Sequence, residues 1–353
     1  MANSDAIAPV PRDSEMEIPR PLPPPIRIVA LGGGTGLPVV LQGLKSVLFP
    51  PGSPWVRERD RHRLTGVVTM ADDGGSSGRL RRAYHVLPPG DVRNCLLALA
   101  DGEPSMSAIF SFRFNGRGEL RNHNLGNLIL TALSQLERDF SRAADRAGRM
   151  LAIRGKVLPS TGDDVTLLAE LSDGTQITGE SRISLTHRPI RRVHLRPGDA
   201  RAVPETLEAI AAADVIVVGP GSLYTSLIPI FLIREIASAI ASSHARVILV
   251  VNLMTEPGET DGHSAVDFIH AIRSHAPNLP IHDALLNTTR IPAQLQERYG
   301  ARGSVPIPMD PEPFRAAGCR AIPRDLLEYG PVIRHDPRKL GKTILPLAIE
   351  KPS

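Results

Sequence analysis

Three segments of the chain combine glycine, hydroxyl and acidic residues in patterns that suit binding of phosphate groups or metal ions. The first is Gly32-Gly33-Gly34-Thr35-Gly36, where the absence of side chains lets a phosphate approach backbone N–H groups. The second is Asp72-Asp73-Gly74-Gly75-Ser76-Ser77-Gly78, which sets two carboxylates beside a loop able to bind an anion. The third is Gly219-Pro220-Gly221-Ser222-Leu223-Tyr224-Thr225-Ser226. Together they predict a site for a phosphorylated ligand.

Structural alternatives exist for the first two segments. The glycines at 32–36 form neither GxGxxG nor a P-loop, and a tight turn without a ligand is the alternative. Asp72 and Asp73 could contact a ribose hydroxyl or hold a divalent cation such as Mg²⁺, or they could cap the following turn. Both segments follow apolar runs, and that position favours ligand binding.

Two predicted helices begin with polar side chains. Asp91 is the expected N-cap of one, and Arg93 and Asn94 lie in its first turn. His123 and Asn127 lie at the start of the other. Helices of this kind point their polar ends into a cleft and pack their apolar bodies on a sheet.

Short apolar runs before the loops predict strands buried on both faces. Strands are expected at residues 28–31, 67–70, 214–218 and 247–251. Helices are expected at residues 36–45, 91–100, 124–140 and 264–275. This alternation predicts an α/β fold with a doubly wound, mainly parallel sheet and helices on both faces. Ligands of such folds bind beyond the carboxyl ends of the strands, and Asn252 lies at one of those ends.

The domain organisation follows from composition. Residues 1–25 contain seven prolines and predict a disordered tail. Residues 26–350 are expected to form one domain, with a small β-rich insertion at about residues 155–200 that includes a hairpin turning at Ser172-Asp173-Gly174.

Composition excludes several classes of protein. The chain has 353 residues and a formal net charge of +4, and its 4% of aromatic residues supply no stacking platform for nucleic acid. Its two cysteines, Cys95 and Cys319, form no metal or disulfide motif, which favours a reducing, cytoplasmic compartment. Polar residues interrupt every apolar stretch before it could span a membrane.

Six motifs in order resemble the YvcK, or gluconeogenesis factor, family of CofD-like proteins, and the similarity runs from about Arg27 to Asp336. Besides the three segments above, the motifs are Pro88-Pro89-Gly90-Asp91-Val92-Arg93-Asn94-Cys95, His123-Asn124-Leu125-Gly126-Asn127 and Asn252-Leu253-Met254-Thr255. The resemblance implies a Rossmann-like fold. It also implies a cytoplasmic bacterial regulator, rather than a catalyst, that binds a UDP-sugar of the UDP-N-acetylglucosamine type and supports cell shape and cell-wall precursor supply during gluconeogenic growth.

On this hypothesis the diphosphate, the nucleoside and the sugar each have candidate contacts. The diphosphate would contact Gly33, Gly34, Thr35 and Gly36, and the ribose or an ion would contact Asp72 and Asp73. The sugar and uracil would lie between Asn127, Gly221, Ser222, Tyr224 and Asn252, with Arg298 as a further anion contact. Ser76, Ser77, Arg93, Asn94 and His123 complete the predicted site. A protein partner in cell-wall precursor metabolism is expected, and a homo-oligomer is left open.

Two enzymatic alternatives remain. A CofD-type transferase would move a 2-phospho-lactyl group onto a deazaflavin, with Mg²⁺ on Asp72 and Asp73. An NAD(P)-dependent oxidoreductase suits the fold, but the chain has no GxGxxG and no evident proton donor.

Overall fold

Strand β1, formed by the buried residues Ile28–Gly32, lies inside the main sheet and begins the regular structure where the apolar run predicts it. The computed structural model describes residues 26–50, 52–53 and 58–350. The proline-rich segment 1–25 lies outside the described residues, so its disorder stays a prediction.

The strands of the described residues are numbered in chain order. They are β1 (Ile28–Gly32), β2 (Leu64–Val68), β3 (Lys156–Pro159), β4 (Thr166–Leu171), β5 (Gln176–Thr178), β6 (Ile190–Arg196), β7 (Val215–Val218), β8 (Arg246–Val250), β9 (Asp283–Asn287) and β10 (Arg320–Arg324).

The helices of the described residues are numbered in the same way. They are α1 (Gly36–Leu48), α2 (Gly75–Tyr84), α3 (Gly90–Leu99), α4 (Pro104–Ser111), α5 (Leu125–Glu137), α6 (Phe140–Met150), α7 (Glu180–Ser184), α8 (Pro204–Ala211), α9 (Ile228–Phe231), α10 (Arg234–Ser242), α11 (Ala265–His275), α12 (Ala293–Gly300), α13 (Glu312–Ala316) and α14 (Pro337–Ile349). A 3₁₀ turn (Glu58–Arg63) precedes β2, and a π-helical turn (Leu223–Leu227) precedes α9.

The main sheet of the described residues has seven strands in the order β10-β9-β8-β7-β1-β2-β3, and every pair is parallel. The chain builds outward from β1 through β2 to β3, then returns to β7 on the other side of β1 and builds outward again. The doubly wound α/β fold is confirmed. Its topological switch point lies between β1 and β7, where ligands of such folds bind.

The small β-rich insertion is also confirmed. Strands β5, β4 and β6 form an antiparallel sheet between β3 and α8, and the expected hairpin is β4–β5. The short helix α7 connects β5 to β6. Because α7 lies outside both sheets, its residues are free to contact the loops of the main domain.

Two details of the sequence prediction are wrong. The helix expected at 124–140 ends at Glu137, because Arg138 takes a left-handed conformation with φ 53° and the Asp139 side chain caps the new helix α6. Strand β2 begins at Leu64 rather than at residue 67. Thr65 and Gly66 interrupt the apolar run in the sequence, yet both are buried and pair with β1.

No single helix of the described residues is long and apolar enough to cross a membrane. Only the pair Leu223–Phe231 and Arg234–Ser242 reaches that length and composition together, and it is bent by 73°.

Helices α1 and α14 pack against each other through two glycines. A Cβ on Gly43 would overlap the carbonyl oxygen of Pro337, and a Cβ on Gly341 would overlap that of Gly43. Since α1 carries the loop that follows β1, this contact helps to fix the direction in which the helix leaves the sheet.

We expect Gly43→Ala to lower the free energy of unfolding by about 1–3 kcal/mol, because backbone atoms must separate to admit the methyl group. Gly300→Ala is the matched control, since Gly300 is also helical and nothing lies within 4 Å of an added Cβ. Chemical denaturation of both variants measures the difference. If Gly43→Ala and Gly300→Ala had the same free energy of unfolding, the two helices would not be held this closely.

Candidate functional site

The loops after β1 and β7 lie side by side at the switch point. β1 pairs with β7 in parallel, so both strands deliver their loops to the same edge of the sheet. A Cβ on Gly36 would overlap the carbonyl oxygen of Pro220, which shows how closely the two loops approach. The contact itself requires glycine at 36, whether or not a ligand binds.

Asn252, at the end of β8, holds the second loop in place. Its amide nitrogen donates to the Gly221 carbonyl, and its amide oxygen accepts from the Gly221 N–H, each at 3.0 Å. The same nitrogen also lies 3.1 Å from Oε1 of Glu256. Asn252 therefore has a structural role, and its role as a ligand contact stays a prediction.

A cleft of about 390 Å³ opens between these loops. Its lining residues are Gly33, Gly34, Thr35, Gly36, Val39, Pro220, Gly221, Ser222, Ser226, Asn252, Leu253, Met254, Thr255, Glu256, Tyr299, Ser304, Ile333, Arg334 and His335. The volume is within the range of small-molecule sites. Seven of the residues predicted for the ligand line the cleft: the four at 33–36 together with Gly221, Ser222 and Asn252.

Asp91 reaches into the first glycine loop. Its predicted role as an N-cap is wrong, because α3 begins at Gly90 and Pro89 occupies the N-cap position. Its carboxylate instead accepts a hydrogen bond of 2.6 Å from the Gly34 N–H. Burial raises the pKa of Asp91 to about 6; the Gly34 hydrogen bond opposes this shift and the nearby carboxylate of Asp72 adds to it.

Asp72 and Asp73 both accept hydrogen bonds from backbone N–H groups. Asp72 accepts from Gly74 at 2.8 Å, and burial raises its pKa. Asp73 accepts from the Ser181 N–H of α7 at 2.9 Å and so ties the insertion to the loop after β2. The turn-capping alternative therefore describes part of what these carboxylates do.

Ser76 of α2, Asn127 of α5 and His123, which lies just before α5, form a second polar cluster outside the lining of the cleft. Ser76 lies 3.0 Å from Nδ1 of His123 and accepts from the Asn127 amide at 3.1 Å. Arg93 donates to Asn127 and to Asn94, each at 2.7 Å.

Ser77 connects this cluster to the acidic residues. Its hydroxyl accepts from the Gly90 N–H at 3.1 Å and bonds the carboxylate of Asp72. The structure thus brings together the predicted residues of the second loop and of the two helix starts, next to the cleft rather than in its wall.

Two predicted residues lie away from the cleft. Tyr224 is 6% exposed and packs edge-to-face against His263 and His275. Arg298 is exposed and donates to the carbonyl of Pro331, whereas Arg334, which does line the cleft, pairs with Glu328.

Three glutamates near the site escaped the sequence analysis. Glu259 accepts from the Tyr224 N–H at 3.1 Å and from the Thr225 hydroxyl at 2.9 Å, and burial together with Glu256 raises its pKa to about 8. Glu180, on α7, has its pKa raised to about 7, chiefly by burial and then by Asp72. Their signal in the sequence is weak, because an isolated glutamate is usually solvated.

A metal site made by the protein alone is not found among residues 26–50, 52–53 and 58–350, where no three Asp, Glu, His or Cys side chains come close enough to share an ion. Mg²⁺ commonly takes one or two carboxylates and completes its shell with phosphate oxygens and water. The carboxylates of Asp72 and Asp91 interact electrostatically and fit that arrangement. Each of them, like Asp73, accepts one backbone N–H, which leaves further oxygen lone pairs for an ion.

The chain is similar to proteins of known family. A family model described as 2-phospho-L-lactate transferase CofD matches residues 28–327. The chain is 44% identical over 322 residues to a putative gluconeogenesis factor of Nostoc sp., covering 90% of this chain and 68% of that protein. It is 39% identical over 325 residues to the gluconeogenesis factor of Bacillus subtilis, covering 92% and 98%. A crystal structure of a protein from Bacillus halodurans matches with a TM-score of 0.84 at 41% identity, covering 91% of this chain and 98% of that one.

The buried Glu259 predicts a pH dependence of stability. Its pKa is about 8 in the folded state against 4.5 for the free group, so the unfolded chain loses this proton first as pH rises. The folded state therefore loses stability between about pH 4.5 and pH 8.

We expect Glu259→Gln to remove this loss of stability with rising pH, because the amide keeps the shape of the side chain but does not ionise. The free energy of unfolding of the variant, minus that of the wild type, should increase from about pH 5 to pH 8. Glu208→Gln, at an exposed position on α8, is the control and should give a flat difference. A flat difference for Glu259→Gln as well would contradict the raised pKa.

Proposed function

The chain belongs to the CofD family, as its motifs indicate, and groups with the gluconeogenesis factors; on this premise we propose that it binds a nucleotide sugar of the UDP-N-acetylglucosamine type in the cleft at the switch point. The proposed role is that of a cytoplasmic regulator of cell-wall precursor supply and cell shape during gluconeogenic growth, acting through a protein partner.

The observation that carries this proposal is the pairing of two glycine-containing loops across the cleft. The loop at 33–36 leads directly into α1, whose first N–H groups and dipole favour a negatively charged group. Ser222 and Ser226 of the facing loop line the same cleft and offer hydroxyl groups. A ligand with two phosphates and a polar sugar matches this combination of backbone donors and small polar side chains.

The acidic residues beside the first loop restrict how a diphosphate can bind. Asp91 already accepts the Gly34 N–H, and a second anion there would be repelled by Asp91 and Asp72. We therefore include Mg²⁺ in the proposal, held by Asp72 and Asp91 together with the phosphates. The ion would supply positive charge between the two sets of anionic oxygens.

Binding should be sensitive to a single methyl group at Gly34. Gly34 has φ +58°, and an added Cβ would find only Ser226 Oγ at 3.8 Å, so Gly34→Ala should fold at a cost of about 1–2 kcal/mol. The methyl would occupy space where a phosphate must meet the backbone. We expect the affinity for UDP-N-acetylglucosamine, measured by calorimetry with Mg²⁺, to fall by about tenfold or more, a change of about 1.4 kcal/mol.

The control is Gly318→Ala, which has φ +63° and open space around the Cβ but lies outside the lining of the cleft. It should show a similar loss of stability and unchanged affinity. Equal affinities of the two variants would place the phosphates elsewhere. No binding to the wild type at millimolar ligand would reject the proposed function.

A CofD-type transferase is the second candidate, favoured by the description of the matching family model and by the neighbouring carboxylates of Asp72 and Asp91. Incubation with a deazaflavin acceptor, a guanylylated 2-phospho-lactyl donor and Mg²⁺ tests it. A transferred product that disappears in Asp72→Asn would favour the enzyme. We expect no product, because the motifs follow the gluconeogenesis factor pattern.

A further inference from the structure

Glu256 is the one acidic side chain among the described residues that line the cleft. It lies on the loop after β8 and is partly exposed. Its Oε1 accepts a hydrogen bond of 3.1 Å from the Asn252 amide, and its carboxylate also bonds the hydroxyl of Ser222. Asn252 and Ser222 line the cleft as well, so the carboxylate is held at the cleft wall between the loops after β7 and β8.

The carboxylate of Glu256 has acceptor capacity that these two contacts do not use. Two carboxylate oxygens offer about four lone-pair positions, and Asn252 and Ser222 account for two of them. Burial raises the pKa of Glu256, and the Ser222 hydroxyl opposes that shift. Since burial penalises the charged form, each further donor would stabilise the carboxylate. This part of the wall therefore favours a ligand group that donates a hydrogen bond.

The position of Glu256 indicates which donor of a nucleotide sugar would reach it. A diphosphate has no proton to donate and would be repelled by the carboxylate. Glu256 bonds Ser222 on the loop after β7, and that loop adjoins the loop after β1, where the phosphates are expected. In a nucleotide sugar the diphosphate has the ribose on one side and the hexose on the other. In either orientation of the ligand, a sugar with its hydroxyl groups therefore follows the phosphates towards Glu256.

We propose that Glu256 accepts a hydrogen bond from a sugar hydroxyl of the nucleotide sugar, and so distinguishes this ligand from analogues that lack that hydroxyl. The inference rests on the proposed function, since it names a group of the ligand that the same cleft recognises. The hydroxyl belongs to the ribose or to the hexose, and the analogues below distinguish the two. Asp72 and Asp73, for which the sequence predicts the ribose contact, do not line the cleft.

The experiment measures binding of UDP-N-acetylglucosamine and its deoxy analogues to the full chain by calorimetry with Mg²⁺. One set of analogues lacks the 2′- or the 3′-hydroxyl of the ribose, and the other lacks a single hydroxyl of the hexose. We expect an analogue in one of the two sets to bind the wild type at least about tenfold more weakly than the parent ligand, because it leaves a partly buried carboxylate without a donor. The set that contains this analogue identifies the sugar.

Two substitutions at Glu256 test whether this residue causes the preference. Glu256→Met has a similar length but no acceptor oxygen, and the ratio of parent to analogue affinity should fall to within about threefold. Glu256→Gln keeps an oxygen for Asn252 and Ser222 and should give an intermediate ratio, because an amide makes only a neutral hydrogen bond. Glu297→Gln, at an exposed position on α12 outside the lining of the cleft, is the control and should keep the wild-type ratio.

A purely structural role, in which Glu256 only fixes Asn252 and Ser222, would weaken the parent ligand and its analogues equally. The ratio would then be that of the wild type in both variants, which would overturn the proposal. If thermal unfolding shows that Glu256→Met does not fold, an unchanged ratio in Glu256→Gln alone would overturn it. A wild type that binds UDP-N-acetylglucosamine and every deoxy analogue equally rejects only this inference, whereas one that binds no nucleotide sugar rejects the proposed function with it.

Discussion

The parallel pairing of β1 with β7 is the constraint on which the rest of the site depends. The chain leaves these neighbouring strands towards opposite sides of the sheet, so neither crossover can cover the gap between their carboxyl ends. Two loops must then meet over that gap at backbone contact distance. Gly36 against the Pro220 carbonyl is the closest of these contacts, and Asn252 fixes the second loop from the next strand. The cleft is thus a product of topology.

Electrostatics then determine what can occupy the cleft. The first loop and the start of α1 attract anions. However, Asp91, which lies on the neighbouring helix α3, already accepts the N–H of Gly34. The insertion adds Glu180, whose pKa is raised by burial and by Asp72. A cluster of carboxylates with raised pKa values is an expensive arrangement in a folded protein, and such groups concentrate at functional sites. Neutralisation by protons or by a cation would relieve the repulsion, which is why Mg²⁺ is part of the proposed function.

The fold could be predicted well from the sequence because the buried strands β1, β7 and β8 are continuous apolar runs followed by loops. Strands β3, β9 and β10 gave no such signal, since none of them contains more than three consecutive apolar residues, whereas β1, β7 and β8 each contain at least four. The glycine loops were also recognisable from composition, because each is a glycine-containing segment that directly follows one of these apolar runs.

The sequence could not show which polar residues meet in space. Asp91 has the sequence pattern of a helix cap, and its contact with Gly34 spans 57 positions of the chain. Tyr224 has the pattern of a ligand contact, but its ring packs inside the protein. His335 lies one residue before the end of the similarity at Asp336, and only tertiary structure reveals that one nitrogen bonds Val251 and the other has no partner among the described residues.

The most direct test of the central claim is hydrogen–deuterium exchange, followed by mass spectrometry, with and without UDP-N-acetylglucosamine and Mg²⁺. If the ligand binds between the two loops, the backbone amides of residues 33–36 and 221–226 should exchange more slowly in its presence. The distant groove beside Arg142 and Arg149 should be unaffected. Protection confined to that groove or to any other surface, with the two loops unchanged, would contradict a ligand site at the switch point.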